Sequence, residues 1–222
     1  MGAGLRAGGP AGAGAALAVL DSGFNAAHPA LRGVEVAGSR SFVGGDPLRD
    51  PVGHGTECCS IVVARPGHGG PAGVAPGVRL YVGQVIGAGG WGDPPALCAG
   101  LRWAAGLDID VLAIPLGCLS STPPLWHAIR TACARGVRVV AAVGNPYLGQ
   151  RGPLYPAAYP GVTAVGAARF EDTYAAWRTP PDVIVRTVPQ VCTPGGGWRP
   201  GLDTSHATLH FAGTLCASMI AT

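Results

Sequence analysis

The chain has 222 residues, 48% of them hydrophobic and 12% charged, which excludes a disordered polymer, and no apolar run approaches the roughly 20 residues that span a bilayer. Its formal charge of +3 comes from 15 basic residues, all arginine, scattered singly from Arg6 to Arg199, so nothing resembles the basic stripe of a nucleic-acid binder. That length holds one domain with a real core and not two comfortable ones.

Residues 1–14 are rich in glycine and alanine and read as a flexible arm; the domain proper is expected over 15–222. The pattern "GAGLRAGG" precedes the first strand candidate instead of following it, which argues against a dinucleotide loop. Apolar strand runs then alternate with helical patterns. "ALAVLD" is followed by a helix from about His54 to Ala64, then "RLYVGQVI", a helix in "PALCAGLRWAAGL", "VLAIPLG", a helix in "PLWHAIRTACARG", "RVVAAVGN" and "VTAVGA". That rhythm predicts an α/β fold, a three-layer sandwich with a mainly parallel sheet flanked by helices. The strands are near-continuous apolar runs, as strands buried on both faces are. "YLGQRGPLYPAAYP" and "CTPGGGWRPG" read as loops from their glycine and proline.

Seven cysteines, an odd number without a C-x-x-C pair, sit mostly in apolar segments, which points to a reducing compartment. Glycines and a proline interrupt the N-terminal apolar residues, so no signal peptide is read and a cytoplasmic location is expected.

Functional groups in such sheets collect at the carboxyl ends of strands. Asp21 ends "VLDSG", His54 opens a helix in "GHGT", and Asn145 ends "AAVGN". Taken singly, each is as well explained by a helix cap, a polar helix start or a turn. Together with their neighbours they resemble the subtilisin-like serine peptidases. "LAVLDSGFNAAHPAL" is similar to that family's Asp motif, "GHGTECCSIVVA" to its His motif and "GVAPGVRLYVGQVI" to the strand that follows. "LRWAAGLDIDVLAIPLG" is similar to its substrate-lining strand, and "VRVVAAVGN" with "YPAAYPGVTAVGA" to its Asn motif and next strand. The resemblance runs from about Leu17 to the end of the chain.

The family places a serine at the start of a helix, and two frames compete for it. Anchoring on "AGT" puts Leu215 in that place, which would make the chain an inert relative. Anchoring on "DTSHATLHFAG" matches Thr204, Ser205, Ala207, His210, Ala212 and Gly213, and is the better frame. Leu215 then lies further along the same helix, about 15 Å from Ser205.

The resemblance implies a serine endopeptidase acting through an acyl-enzyme on Ser205, with His54 as base, Asp21 as its orienting carboxylate and Asn145 in the oxyanion hole. It places an extended peptide or protein substrate between two edges, Gly90, Trp91 and Gly92 on one side and Ile114, Leu116 and Gly117 on the other, with Val143 and Gly144 near the primary pocket. Departures from the family pattern carry their own expectations. Asp203 stands two residues before the serine, where it caps the helix or opposes the developing oxyanion and so tunes activity. Leu209 replaces a proline, Pro115 removes a backbone donor from the substrate-lining strand, and Val143 narrows the pocket. A pseudopeptidase that binds extended peptides without cleaving them is the alternative.

His28 is read as structural, and Cys58 and Cys59 as small core residues. His68, His127, His206 and His210 form no H-E-x-x-H signature. His206 and His210, four residues apart, suggest a metal face only weakly. No cofactor is expected, no carboxylate cluster supports a structural calcium, and neither nucleic acid nor a membrane is expected as a partner. The domain reads as short at its C-terminal end, so a partner subunit or a missing C-terminal segment is expected to complete it.

Overall fold

The structure is a computed structural model that describes residues 9–67, 69–146 and 150–219. His68 and residues 1–8 of the expected arm fall outside that range. Residues 9–14 of the arm are described: Ala13 N–H donates to Pro10 O, and Gly77 N–H donates to Ala11 O.

Among the described residues, nine strands and five α-helices follow in chain order: β1 (Ala16–Asp21), β2 (Val36–Ser41), α1 (His54–Val63), β3 (Arg79–Gln84), α2 (Pro94–Ala105), β4 (Val111–Ile114), α3 (Pro123–Ala134), β5 (Arg138–Ala142), β6 (Val162–Ala167), α4 (Glu171–Tyr174), β7 (Val183–Val185), β8 (Gln190–Cys192), β9 (Trp198–Pro200) and α5 (Thr204–Ser218). Seven strands form one sheet in the order β2-β3-β1-β4-β5-β6-β7, each pair parallel. Helices α1 and α5 pack together on one face, α2 and α3 on the other. The α/β sandwich expected from the alternating pattern is the fold.

β1 and β4 are buried along their whole length because the layers cover both sides of the sheet centre. Leu17, Leu20, Leu112 and Ile114 have no exposed surface, and each such side chain contributes roughly 1.5–3 kcal/mol by leaving water. The order of the sheet sets the place of the site. From β1 the chain passes to the edge strand β2 and returns to β3 between them; after β3 it crosses to β4 on the other side of β1 and builds outward through β7. The carboxyl ends of β1 and β4 therefore flank the switch point, where loops diverge and leave a crevice.

The structure differs from the sequence reading in the short and edge strands. β2 and β7 were not expected. "CTPGGGWRPG", expected as a loop, is in part a hairpin: β8 pairs with β9 antiparallel, Cys192 opposite Trp198, and Thr193 N–H donates to Gly197 O across the turn. Ser60 of α1 accepts from Cys192 N–H at 3.1 Å, which fixes this hairpin against the helix that carries His54. His28 is buried and structural in form. Its Nδ1 accepts from Ala30 N–H, so Nε2 bears the proton and donates to Thr193 O at 2.8 Å.

Candidate active site

Asp21 leaves β1 with its side chain 1% exposed. Ser22 N–H donates to its Oδ1 at 2.6 Å, and His54 Nδ1 lies 2.8 and 2.9 Å from its two oxygens. Nδ1 is therefore the protonated nitrogen of the neutral ring, and Nε2 keeps the lone pair. The close approach depends on residue 55. A Cβ on Gly55 would stand 2.2 Å from Gly23 O and 3.1 Å from Asp21 Cβ, so any side chain there would push α1 away from β1.

His54 is the first residue of α1, and the preceding Gly53, at φ 88°, gives the helix no side-chain cap. Asp50 supplies one from further upstream. Its Oδ2 accepts from Thr56 N–H and Thr56 Oγ1; its Oδ1 accepts from Gly53 N–H, Val52 N–H and Ser22 Oγ. Ser22 Oγ in turn accepts from Gly55 N–H. One carboxylate thus ties the first turn of α1 to the end of β1, where Asp21 sits.

The Asp21 carboxylate raises the pKa of His54 well above its ordinary 6.5, against the effect of burial. Cys58 Sγ lies 3.9 Å from His54 Nε2. Burial pushes that thiol up to about 12, so it faces the imidazole as a neutral group. Asp21, His54 and Cys58 form the one trio of metal-type ligand atoms within 4.8 Å of one another among the described residues. It is the acid-base pair with a thiol beside it. His206 and His210 do not converge on a common point: His206 faces Asp203 and Glu57, whereas His210 is half-buried and its pKa is lowered by burial.

Ser205 is the second residue of α5. Capping accounts for the N–H groups around it: Thr204 N–H donates to Asn145 Oδ1 at 3.1 Å, His206 N–H to Asp203 Oδ1 at 3.1 Å, and Ala207 N–H to Asp203 O. Ser205 N–H is left without a protein partner among the described residues, at a helix N-terminus where the dipole favours negative charge. Thr204 Oγ1 also donates to Asn145 Oδ1. The Thr204 N–H can only donate, so the atom facing it is the amide oxygen, and Nδ2 has no hydrogen-bond partner among the described residues. Asp203 takes the capping role at the N-terminus of α5.

The hydroxyl of Ser205 donates to Pro115 O at 2.7 Å. A serine has one proton to donate, so in this arrangement it is not offered to His54.

Trp91, Gly92, Leu116 and Gly117 come together. They line one cavity of about 400 Å³ whose apolar wall is completed by Leu97 and Leu125. Trp91 is 86% exposed at its rim, and a bridge between Ile86 and Gly92 holds the loop that carries Gly90. Ile114 and Val143 do not join this surface. Ile114 has no exposed area, because it lies within β4 with β5 alongside. Val143 is equally buried; its N–H donates to Val165 O and its carbonyl accepts from Leu154 N–H and Gln150 Nε2. It has nothing free to give a ligand, and the narrowing expected from it is not seen. Gly144 is half-buried next to Asn145.

A family model described as the subtilase family matches residues 12–220. The chain belongs to the subtilase family. This subtilase is 37% identical over 207 residues to the alkaline elastase YaB of Bacillus sp. strain YaB, a match covering 91% of the chain and 53% of that relative. It is 36% identical to subtilisin Savinase of Lederbergia lenta, covering 91% of the chain and 75% of the relative. It is 34% identical over 216 residues to subtilisin DY of Bacillus licheniformis, covering 94% and 78%. The chain therefore spans about half the length of some curated relatives and three quarters of others.

Sequence reasoning did not find Asp50 or Ser22, which orient the expected residues, nor the contact of Thr204 with Asn145, nor the Pro115 carbonyl. Asp50 lies four residues before His54, and an Asp just upstream of an uncapped helix start was the available signal. A main-chain carbonyl leaves none.

Proposed function

We propose that this subtilase is a serine endopeptidase that hydrolyses peptide bonds through an acyl-enzyme on Ser205. The observation that carries the reading is the pairing of His54 Nδ1 with both oxygens of Asp21 at the crevice where α5 presents Ser205. In the reaction, Ser205 Oγ leaves Pro115 O, passes its proton to His54 Nε2 and attacks the substrate carbonyl carbon. Asp21 stabilises the imidazolium that results. The carbonyl oxygen gains charge where Ser205 N–H and Asn145 Nδ2 can both donate to it. His54 then protonates the departing amine, and a water repeats the sequence to release the acid and restore Ser205.

An extended peptide fits along the exposed loop Gly90–Gly92 and the residues after β4, with an apolar side chain in the cavity between Trp91, Leu97, Leu116 and Leu125. The relatives' names include elastase and alkaline protease, which supports a protein or peptide substrate here. A reducing, cytoplasmic setting belongs to the same proposal and is supported by seven unpaired cysteines.

The decisive experiment is labelling with a fluorophosphonate probe, which reacts only with an activated serine. The wild type should label and Ser205→Ala should not. One observation favours a second reading, the binding-only pseudopeptidase: the hydroxyl is held by Pro115 O. A folded wild type that binds extended peptides and resists the probe would establish that reading and end the first.

A further inference from the structure

The residue after the nucleophile, His206, is 1% exposed and stands between two carboxylates. Its Nδ1 is 2.8 Å from Asp203 Oδ1 and its Nε2 is 3.8 Å from Glu57 Oε2. Neither nitrogen meets an acceptor along a hydrogen-bond direction among the described residues, so each contact is a close approach of the ring to a carboxylate and not an aligned hydrogen bond. The space is shaped to the ring, since a Cβ on Gly201 would stand 2.8 Å from His206 Cγ. A neutral imidazole buried without hydrogen bonds is a net cost; between two anions the imidazolium is the favoured form. Burial opposes that charge, and so does His54, but Asp203 and then Glu57 outweigh both and raise the pKa above 6.5. The ring centroids of His206 and His54 are 6.4 Å apart.

The charged groups facing His206 come from three elements. Asp203 caps its own helix, Glu57 and His54 belong to α1, and Arg199 of β9 sits 2.6 Å from Glu57 Oε2 and offsets that carboxylate. Behind His54 lie Asp21 and the neutral thiol of Cys58.

We propose that His206 is a positioning residue for charge: a buried imidazolium that opposes protonation of His54 and keeps the base free at a lower pH than Asp21 alone would permit. The inference rests on the peptidase reading. Only an unprotonated His54 can take the proton of Ser205, and Asp21 favours the protonated ring. A second cation 6.4 Å away works against it by on the order of one to two pH units at an effective dielectric of about 20. Asp203 acts on His54 whether or not His206 is charged, so the shift expected on removing the cation is the cation's own contribution. The tuning role expected of Asp203 thus acquires a route: it favours the charged form of His206.

The test compares His206→Met and His206→Gln with the wild type in kcat/KM against pH, normalised to serine labelled by the fluorophosphonate probe. The acid limb of both variants should move up by about one unit, making them about tenfold slower where the wild type is falling, while the alkaline plateaus agree within about twofold. Acid limbs that coincide with that of the wild type would overturn the proposal, and a loss uniform across pH would assign His206 to packing alone. The His54 Cε1–H resonance, followed by NMR against pH in the same three proteins, gives the comparison without turnover. An inactive wild type would therefore end the peptidase reading and still leave this one decided by whether that titration moves.

Discussion

Asn145 shows how little of a side chain's role its own position settles. Its place just after β5 says only that an amide stands near the crevice; the two donors from Thr204 hold Oδ1, so that under the peptidase reading Nδ2 is the atom that meets the reacting carbonyl. Asn145→Leu keeps the volume and removes the donor. It should lower kcat about 10²- to 10³-fold, the loss typical when one oxyanion donor of a subtilisin is removed, with KM changed little. A variant with wild-type kcat would take Asn145 out of the oxyanion hole. Asp21, His54, Asn145 and Ser205 were legible because each lies in a short local pattern. The contact of Thr204 with Asn145, Pro115 O and the Asp203–His206–Glu57–Arg199 cluster were not, because their meaning comes from partners distant in sequence: Arg199 meets Glu57 across 142 positions.

At the scale of elements, the link between Asp50 and the start of α1 is the feature on which His54 most depends. A helix that begins after a left-handed glycine has no cap of its own, and Asp50 meets Gly53 N–H and Thr56 N–H together. Asp50→Ala would leave these donors unpaired, along with the hydroxyl of Ser22. Urea unfolding should show a loss on the order of 2 kcal/mol, and kcat should fall at least tenfold at temperatures where the variant stays folded, because His54 sits in the turn that loosens. An unchanged kcat with that loss of stability would mean that Asp21 alone positions the imidazole. The same physics explains which elements could be read from sequence. β1, β4, β5 and β6 each have a strand on both sides and are apolar except at Asp21, Arg138 and Thr163. β2, with "VAGSRS" and alternate exposure, is an edge strand and leaves its polar residues in water. β7, β8 and β9 have three residues each, too few for any period to show. The serine helix had to be found by aligning the whole of "DTSHATLHFAG", since "AGT" lies within its own last turns.

For the whole molecule, the shifted groups set stability and activity at odds as pH rises. His54 and His206 have pKa values raised above 6.5 in the folded state, the first chiefly by Asp21, the second by carboxylates that overcome burial. Their stabilisation is complete below pH 6.5 and is lost as pH climbs through the folded values. Burial raises Cys58, Cys59 and Cys216 from 9.0. Above pH 9 these thiols ionise more readily in the unfolded chain, which adds a steeper loss. On the acid side, His210 is lowered from 6.5 by burial, and Asp203 is lowered from 3.8, His206 outweighing burial. Each of those contributions is lost as pH falls through the folded value. The windows lie on opposite sides of pH 6.5, so Tm should peak near that value, decline gradually towards pH 9 and then drop faster. Hydrolysis needs the neutral form of His54, so kcat/KM should still be rising over the interval in which Tm is declining. Measuring both on one preparation between pH 5 and pH 10 checks the argument. In Asp21→Asn, the gradual part of the Tm decline should shrink while the steep part above pH 9 stays. A Tm that is flat from pH 6 to pH 9 in the wild type would mean that the Asp21–His54 pair contributes nothing to the fold beyond holding the base.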